Sequence, residues 1–176
     1  MSTIKVDRIE PKDGLQSNAM GGIVQVVRVV HTGQASTNST TYVSTGLQAS
    51  ITPRSASNKI MVSFEHSIFH THDTPTAPVD VYLIHGIRIK RGTQVIYTPV
   101  TSSTSGPVEF GIYDSDTSHY NAVYNRPRVE YLDSPATTGT ITYSTEIALY
   151  NNDGTVYVNA DTTYGQSWMT LVEITA

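Results

Sequence analysis

Along most of the chain, apolar and polar residues alternate with a period of two, the spacing of a strand that buries one face. The clearest stretch runs from Gly46 to Phe69. Leu47, Ala49 and Ile51 share one face of a first strand. Ile60, Val62, Phe64 and Ile68 share one face of a second, with Lys59, Ser63, Glu65 and Ser67 on the other. Pro53 ends the first run, having no backbone donor and a fixed φ, and Ser55, Ser57 and Asn58 supply turn chemistry. The pattern predicts two strands joined by a polar turn, and no helical period competes with it.

The same period returns downstream. Val81, Leu83, His85, Ile87 and Ile89 share a face of a strand over Val79–Lys90; Arg91-Gly92-Thr93 turns the chain into a partner over Gln94–Val100. Short strands are expected at Val108–Tyr113 and Arg128–Leu132. Thr140–Tyr150 is a longer one, facing inward with Ile141, Tyr143, Thr145, Ile147 and Leu149. Asn151–Gly154 is a hairpin loop in which Asp-Gly tolerates positive φ, and Thr155–Ala160 and Ser167–Thr175 close the chain. In that closing strand Trp168 shares a face with Val172 and Ile174, which predicts a buried indole. Ile23–Thr32 is apolar on both faces, as in a central strand or one covered by a neighbouring subunit. His70–Pro78 and Asp114–Pro127 read as polar loops, the second long enough to suggest function. Short strands separated by turn signals, with no helix, predict an all-β fold: a single jelly-roll-like antiparallel β-sandwich over residues 23–176, preceded by an extended N-terminal arm over residues 1–22.

The stretch TYVSTGLQASITPRSASNKIMVSF, preceded by GGIVQVVRVV and closed by SWMTLVEI, resembles a β-rich module common in tailed-bacteriophage virion surface proteins, above all those of phages of aquatic bacteria. There the module occurs in tail fibres and other surface appendages. The similarity runs in order over residues 21–176 and is strongest at Gly22–Phe64 and Gln166–Ile174; His70–Pro135 matches no known pattern. Its motifs are structural, with no catalytic residue to carry over. The resemblance implies a non-enzymatic virion structural protein, made in the host cytoplasm and placed on the virion surface. Two roles fit: a trimeric capsid decoration or cement protein attached through its arm, or a tail-fibre or receptor-binding head contacting host surface glycan. A polysaccharide-degrading virion enzyme is a third class.

Composition narrows the partners. A chain of 176 residues suits one domain with a sizeable core. Eleven Lys and Arg against fifteen Asp and Glu give a net charge of -4, which argues against nucleic-acid binding. No apolar run is long enough to span a bilayer, so no membrane partner is expected. The N-terminus alternates too quickly to hold a signal-peptide core, so Sec export is not expected. With no cysteine there is neither a disulfide framework nor a thiolate site. Eleven tyrosines exceed the needs of a core and suit a surface that binds or oligomerises. Together with the two-sided run Ile23–Val30, they point to self-association as a homotrimer; contacts with other virion proteins are what the resemblance implies.

Candidate chemistry is sparse. In the arm, Ile4, Val6 and Ile9 alternate with polar residues and cannot bury themselves alone, which suits strand addition to a partner as well as a frayed terminus. His66, His70 and His72 share one parity beside Asp73 and could present imidazoles to a metal. Three ligands spread over two strand repeats converge poorly, so no metal or other cofactor is expected unless a three-fold axis gathers one histidine per chain. Ser, His and Asp occur without a G-x-S-x-G elbow. Glu109, Asp114, Asp116, Glu130 and Asp133 could supply a carboxylate pair, as most surfaces could. Gly21-Gly22 lacks the Lys-Ser/Thr of a phosphate-binding loop. Tyr113, His119, Tyr120 and Tyr124 form the better candidate surface, suited to a carbohydrate, a protein partner or a subunit interface.

Overall fold

Among the described residues, strands form over the alternating stretches and also at Ala35–Thr37, His70–His72 and Asn121–Asn125, where the sequence carries little such signal. The structure, a computed structural model, describes residues 22–72, 81–99, 110–114, 121–150, 154–160 and 165–175. In chain order the strands are β1 (Ile23–His31), β2 (Ala35–Thr37), β3 (Val43–Ile51), β4 (Lys59–Glu65), β5 (Ile68–His72), β6 (Val81–Arg91), β7 (Gln94–Tyr97), β8 (Phe110–Asp114), β9 (Asn121–Asn125), β10 (Arg128–Asp133), β11 (Ile141–Leu149), β12 (Thr155–Val158) and β13 (Ser167–Ile174). No helix occurs among the described residues. The N-terminal arm lies outside them, except for Gly22.

Every pairing is antiparallel. Two four-stranded sheets, β1-β13-β4-β10 and β2-β12-β5-β9, place successive chain segments at matching positions. They are two halves of one long layer, with a common bend at residues 32–34, 66–67 and 126–127. The second layer is ordered β3-β11-β6-β7, with β8 also on β6. β7 pairs with the C-terminal part of β6 and β8 with its N-terminal part, so the two are segments of one strand. Joining segments in this way leaves eight strands, ordered 1-8-3-6 in the bent layer and 2-7-4-5 in the other. That is the order of a jelly roll, an all-β sandwich in which two Greek keys are folded together.

The core lies between the layers. Leu47, Ala49 and Ile51 meet Ile60, Val62, Phe64 and Ile68 as the alternation predicts, and Leu83, Ile87, Ile89, Tyr143, Ile147 and Leu149 complete it. Polar ties close its rim. The Tyr143 hydroxyl donates to Asp133 at 2.7 Å, and Arg91 donates to both oxygens of the same carboxylate. At the β3–β4 turn the buried Glu173 carboxylate accepts from the Arg54 N–H and the Asn58 side-chain amide on one oxygen, and from the Gln25 side-chain amide on the other. Burial alone would raise its pKa; the hydrogen bonds outweigh burial and hold the carboxyl below the ordinary carboxylate range.

Four expectations change. β13 has the opposite face inward: Ser167, Met169, Leu171 and Glu173 are buried, whereas Trp168, Val172 and Ile174 lie on the outer face and are half-buried. Both faces of this strand are apolar, and its inward face carries a serine and a glutamate whose hydrogen bonds compensate their burial, so hydrophobicity alone selects the wrong face. Among the described residues β1 ends the order of its sheet, so of the two places expected for it the central one is ruled out. His70–His72 belongs to β5, and residues 121–125 of the expected long loop form β9. Both segments are held by pairing to each other, from Ile68↔Asn125 to His72↔Asn121, despite polar sequences.

The face assignment in β13 is testable by denaturant unfolding. Leu171→Ala and Met169→Ala should each cost ~2–5 kcal/mol, as buried large-to-small changes do. Trp168→Ala should cost only ~1 kcal/mol, the scale of lost stacking with arginine at a part-exposed site.

Candidate functional site

The outer face of the half-layer β10-β4-β13-β1 carries three rows of side chains in register. Val26, Val172, Met61 and Leu132 form an apolar row; Arg28, Thr170, Ser63 and Glu130 form a polar one; Val30, Trp168, Glu65 and Arg128 form the third. On the edge strand, Ile23, Val26 and Val30 are 69%, 56% and 54% exposed. Large apolar side chains left in solvent on an edge strand are a template for association, because the edge also presents unpaired backbone groups.

Between these rows lies a shallow depression of about 390 Å³. Its floor is Met61 and Val172, its hydroxyls come from Ser63 and Thr170, and Trp168 stands with Arg28, Arg128 and Glu130 around it. The guanidinium carbon of Arg28 lies 4.4 Å from the centre of the indole and that of Arg128 lies 5.4 Å away, both within cation–π range. Arg128 also pairs with Glu130 at 2.5 Å, while Arg126 pairs with Glu65 at 2.7 Å. Arg28 makes one weak bond, to the Thr170 hydroxyl at 3.3 Å, and no ion pair among the described residues.

A second set of side chains occupies the outer face beyond the bend. Tyr124 on β9, Phe69 on β5 and Tyr157 on β12 stand in one register row. Phe69 and Tyr124 stack with ring centres 4.4 Å apart, Tyr157 lies 5.9 Å from Phe69, and Tyr124 is 76% exposed. Tyr124 is thus a surface aromatic at a sheet edge. Tyr113 lies on β8 opposite Tyr82, in the other layer. His119 and Tyr120 lie outside the described residues. The partners of Tyr124 in this row are Phe69 and Tyr157, and the strand register that aligns them was not visible in sequence spacing.

His66, His70 and His85 take up interior positions. His66 is fully buried at the bend, with Nδ1 2.9 Å from the Ser167 hydroxyl and Nε2 2.9 Å from the Thr145 hydroxyl. The Ser167 hydroxyl donates to Asn159 Oδ1, so His66 Nδ1–H must donate to Ser167, and Nε2 accepts from Thr145. Thr145 in turn accepts from Thr45 at 2.6 Å. Thr45 reaches it because Thr45, Gly46 and Leu47 stand opposite the single residue Thr145, a bulge in which Gly46 takes φ 81°. A Cβ on Gly46 would also lie 2.6 Å from His31 Nε2. Asn159, itself at φ 53°, donates to the carbonyls of His31 and Gly33. Burial, and then the proximity of His31, lower the His66 pKa to about 3. Burial, with His70 and His66 nearby, lowers that of His85 to about 3.

His70 also faces inward, and its ring lies 5.8 Å from that of His85. The side chain of His72 lies outside the described residues. Both His66 nitrogens serve the hydroxyl chain, and no group of three potential metal ligands gathers among the described residues. Glu130 and Asp133 point to opposite faces of β10, one in an ion pair with Arg128 and the other buried on Tyr143 and Arg91. Glu109, Asp116 and the arm residues Ile4, Val6 and Ile9 lie outside the described residues. No protein-family model and no curated protein matches the chain.

The buried imidazoles make stability depend on pH. Unfolded histidine titrates near 6.5, so between pH 6.5 and about 3 the unfolded chain binds more protons than the folded one at His66 and His85. Their contribution is complete above pH 6.5 and is lost as the pH falls. The unfolding free energy should drop by on the order of 2–3 kcal/mol per pH unit below 6, and His66→Gln should roughly halve that slope. A urea titration at stepped pH measures both, and a flat profile from pH 6.5 to 4.5 would contradict the burial of these rings.

Proposed function

We propose that the chain is a non-enzymatic structural protein of the tailed-bacteriophage virion surface, a capsid decoration protein that assembles as a homotrimer and attaches through its N-terminal arm. One structural observation carries this: the exposed apolar edge of β1, with Ile23, Val26 and Val30 in solvent. In sequence the arm immediately precedes β1, and its Ile4, Val6 and Ile9 supply the further apolar side chains that this docking uses. The sequence resemblance to phage surface modules and the jelly-roll order are consistent with a role in assembly. Ordering an arm costs about 1 kcal/mol or more per residue, so a single arm binds weakly, and three arms on one trimer bind through effective concentration.

A second reading, a tail-fibre or receptor-binding head, draws on the Tyr124–Phe69–Tyr157 row, whose outermost ring is open to a glycan or a protein. The two readings differ in where the protein sits on the particle, which immunogold electron microscopy of intact virions distinguishes.

Removing residues 1–21 should leave the melting temperature and oligomeric state unchanged while abolishing association with particles. Full occupancy by the truncated protein would move attachment to the sandwich itself. Val26→Lys with Val30→Lys should keep the fold and weaken self-association. Sedimentation of the unaltered chain as a monomer of 19.2 kDa at micromolar concentration would remove the trimer.

A further inference from the structure

We propose that the depression around Trp168 is a binding site for a carboxylate-bearing saccharide, a uronate unit of an acidic polysaccharide. The observation behind it is the state of Arg28. An arginine stacked on an aromatic ring commits the face of its guanidinium and leaves the in-plane N–H groups pointing outward. Arg28 is so placed, 4.4 Å from the indole centre, and among the described residues its one hydrogen bond is the 3.3 Å contact to Thr170. Its remaining donors form the planar fork that receives a carboxylate through two parallel bonds.

The surroundings favour a sugar over a simple anion. A pyranose presents an apolar C–H face and a ring of hydroxyls, each able to donate and accept. The depression offers an apolar floor in Met61 and Val172, and hydroxyls in Ser63 and Thr170. Glu130, whose side chain is 52% exposed, can accept from a sugar hydroxyl beside the donors of Arg128. Two guanidiniums stand against one carboxylate, a local positive excess on a chain of net charge -4, and this selects one negative charge on the ligand. The site does not depend on the mode of attachment proposed above, since soluble protein suffices to test it.

Trp168 is the only tryptophan, so tryptophan emission, excited selectively over the eleven tyrosines, reports on this site alone. Titration of the full-length protein with oligogalacturonate should give a saturable change. The neutral oligogalactose analogue should bind at least ~10-fold more weakly, and Arg28→Gln should lose a similar factor. Arg28→Lys, which keeps the charge but not the fork, should recover only part of it. Calorimetry on Trp168→Phe checks binding without the reporter, and Leu132→Ala, outside the depression, should bind as the unaltered chain does. Equal binding of the neutral analogue would overturn the role of Arg28. Equal binding of acetate or of a glutamate-containing tripeptide would make the site a general carboxylate or peptide site and overturn the saccharide. No saturable change with oligogalacturonate or with oligoglucuronate would overturn the site altogether.

Discussion

The hydrogen-bond chain through His66 is the constraint on which the bent layer depends. Three strands change direction at nearly the same level, and each interruption leaves backbone groups without a ladder partner inside the protein. Asn159 repairs the break, donating from its backbone to Ser67 O and from its side chain to the carbonyls of His31 and Gly33. Its side-chain oxygen is engaged by Ser167, which is held by His66, which is held by Thr145 of the facing layer. A polar sequence of donors and acceptors therefore crosses from one sheet to the other at the place where an apolar core would be weakest. The arrangement is satisfied only when the imidazole is neutral, so burial and hydrogen-bond order reinforce one another.

With polar groups drawn inward at the bend and at Glu173, apolar and aromatic groups are displaced to the outer face of the same layer. Trp168 is outside because Ser167 and Met169 are inside, and Val172 is outside because Glu173 is needed at the β3–β4 turn. The surface proposed to bind and the interior that holds the fold are thus alternate residues of one strand. A substitution that exchanges their parity would damage both, while a change confined to Arg28 or Val26 touches the surface alone.

Much of the fold is legible in the alternation of β3, β4, β6 and β11, whose inward residues are apolar and outward residues polar. β1 and β13 are less so, being apolar on both sides; only their places in the sheet show which face meets the core. β5 and β9 are hidden because HTH and NAVYN carry little hydrophobic signal and are fixed by pairing across fifty residues of chain. The candidate surface was partly readable. Tyr124 stands out as an aromatic in a polar stretch, yet its neighbours Phe69 and Tyr157 come from distant segments. Arg28, Trp168 and Arg128 belong to three strands, and no sequence pattern marks their convergence. His66 was visible as a histidine at a strand end, but its role depends on hydroxyls contributed by β3, β11 and β13.

The place of β1 has a consequence for the order of events during synthesis. Among the described residues its one neighbour in the sheet is β13, paired from Ile23↔Ile174 to His31↔Ser167. Of the described strands, the first to be synthesised therefore has no partner in its own sheet until the last of them arrives. For the whole interval an apolar nine-residue segment, VV-rich and free of proline, travels with the nascent chain. Such long-range closure is slow, and the waiting edge is open to the same segment on a neighbouring polysome. Folding yield should consequently depend on the time between the synthesis of β1 and that of β13 as well as on the stability of the finished sandwich, and slowing elongation between the two should favour aggregation over folding.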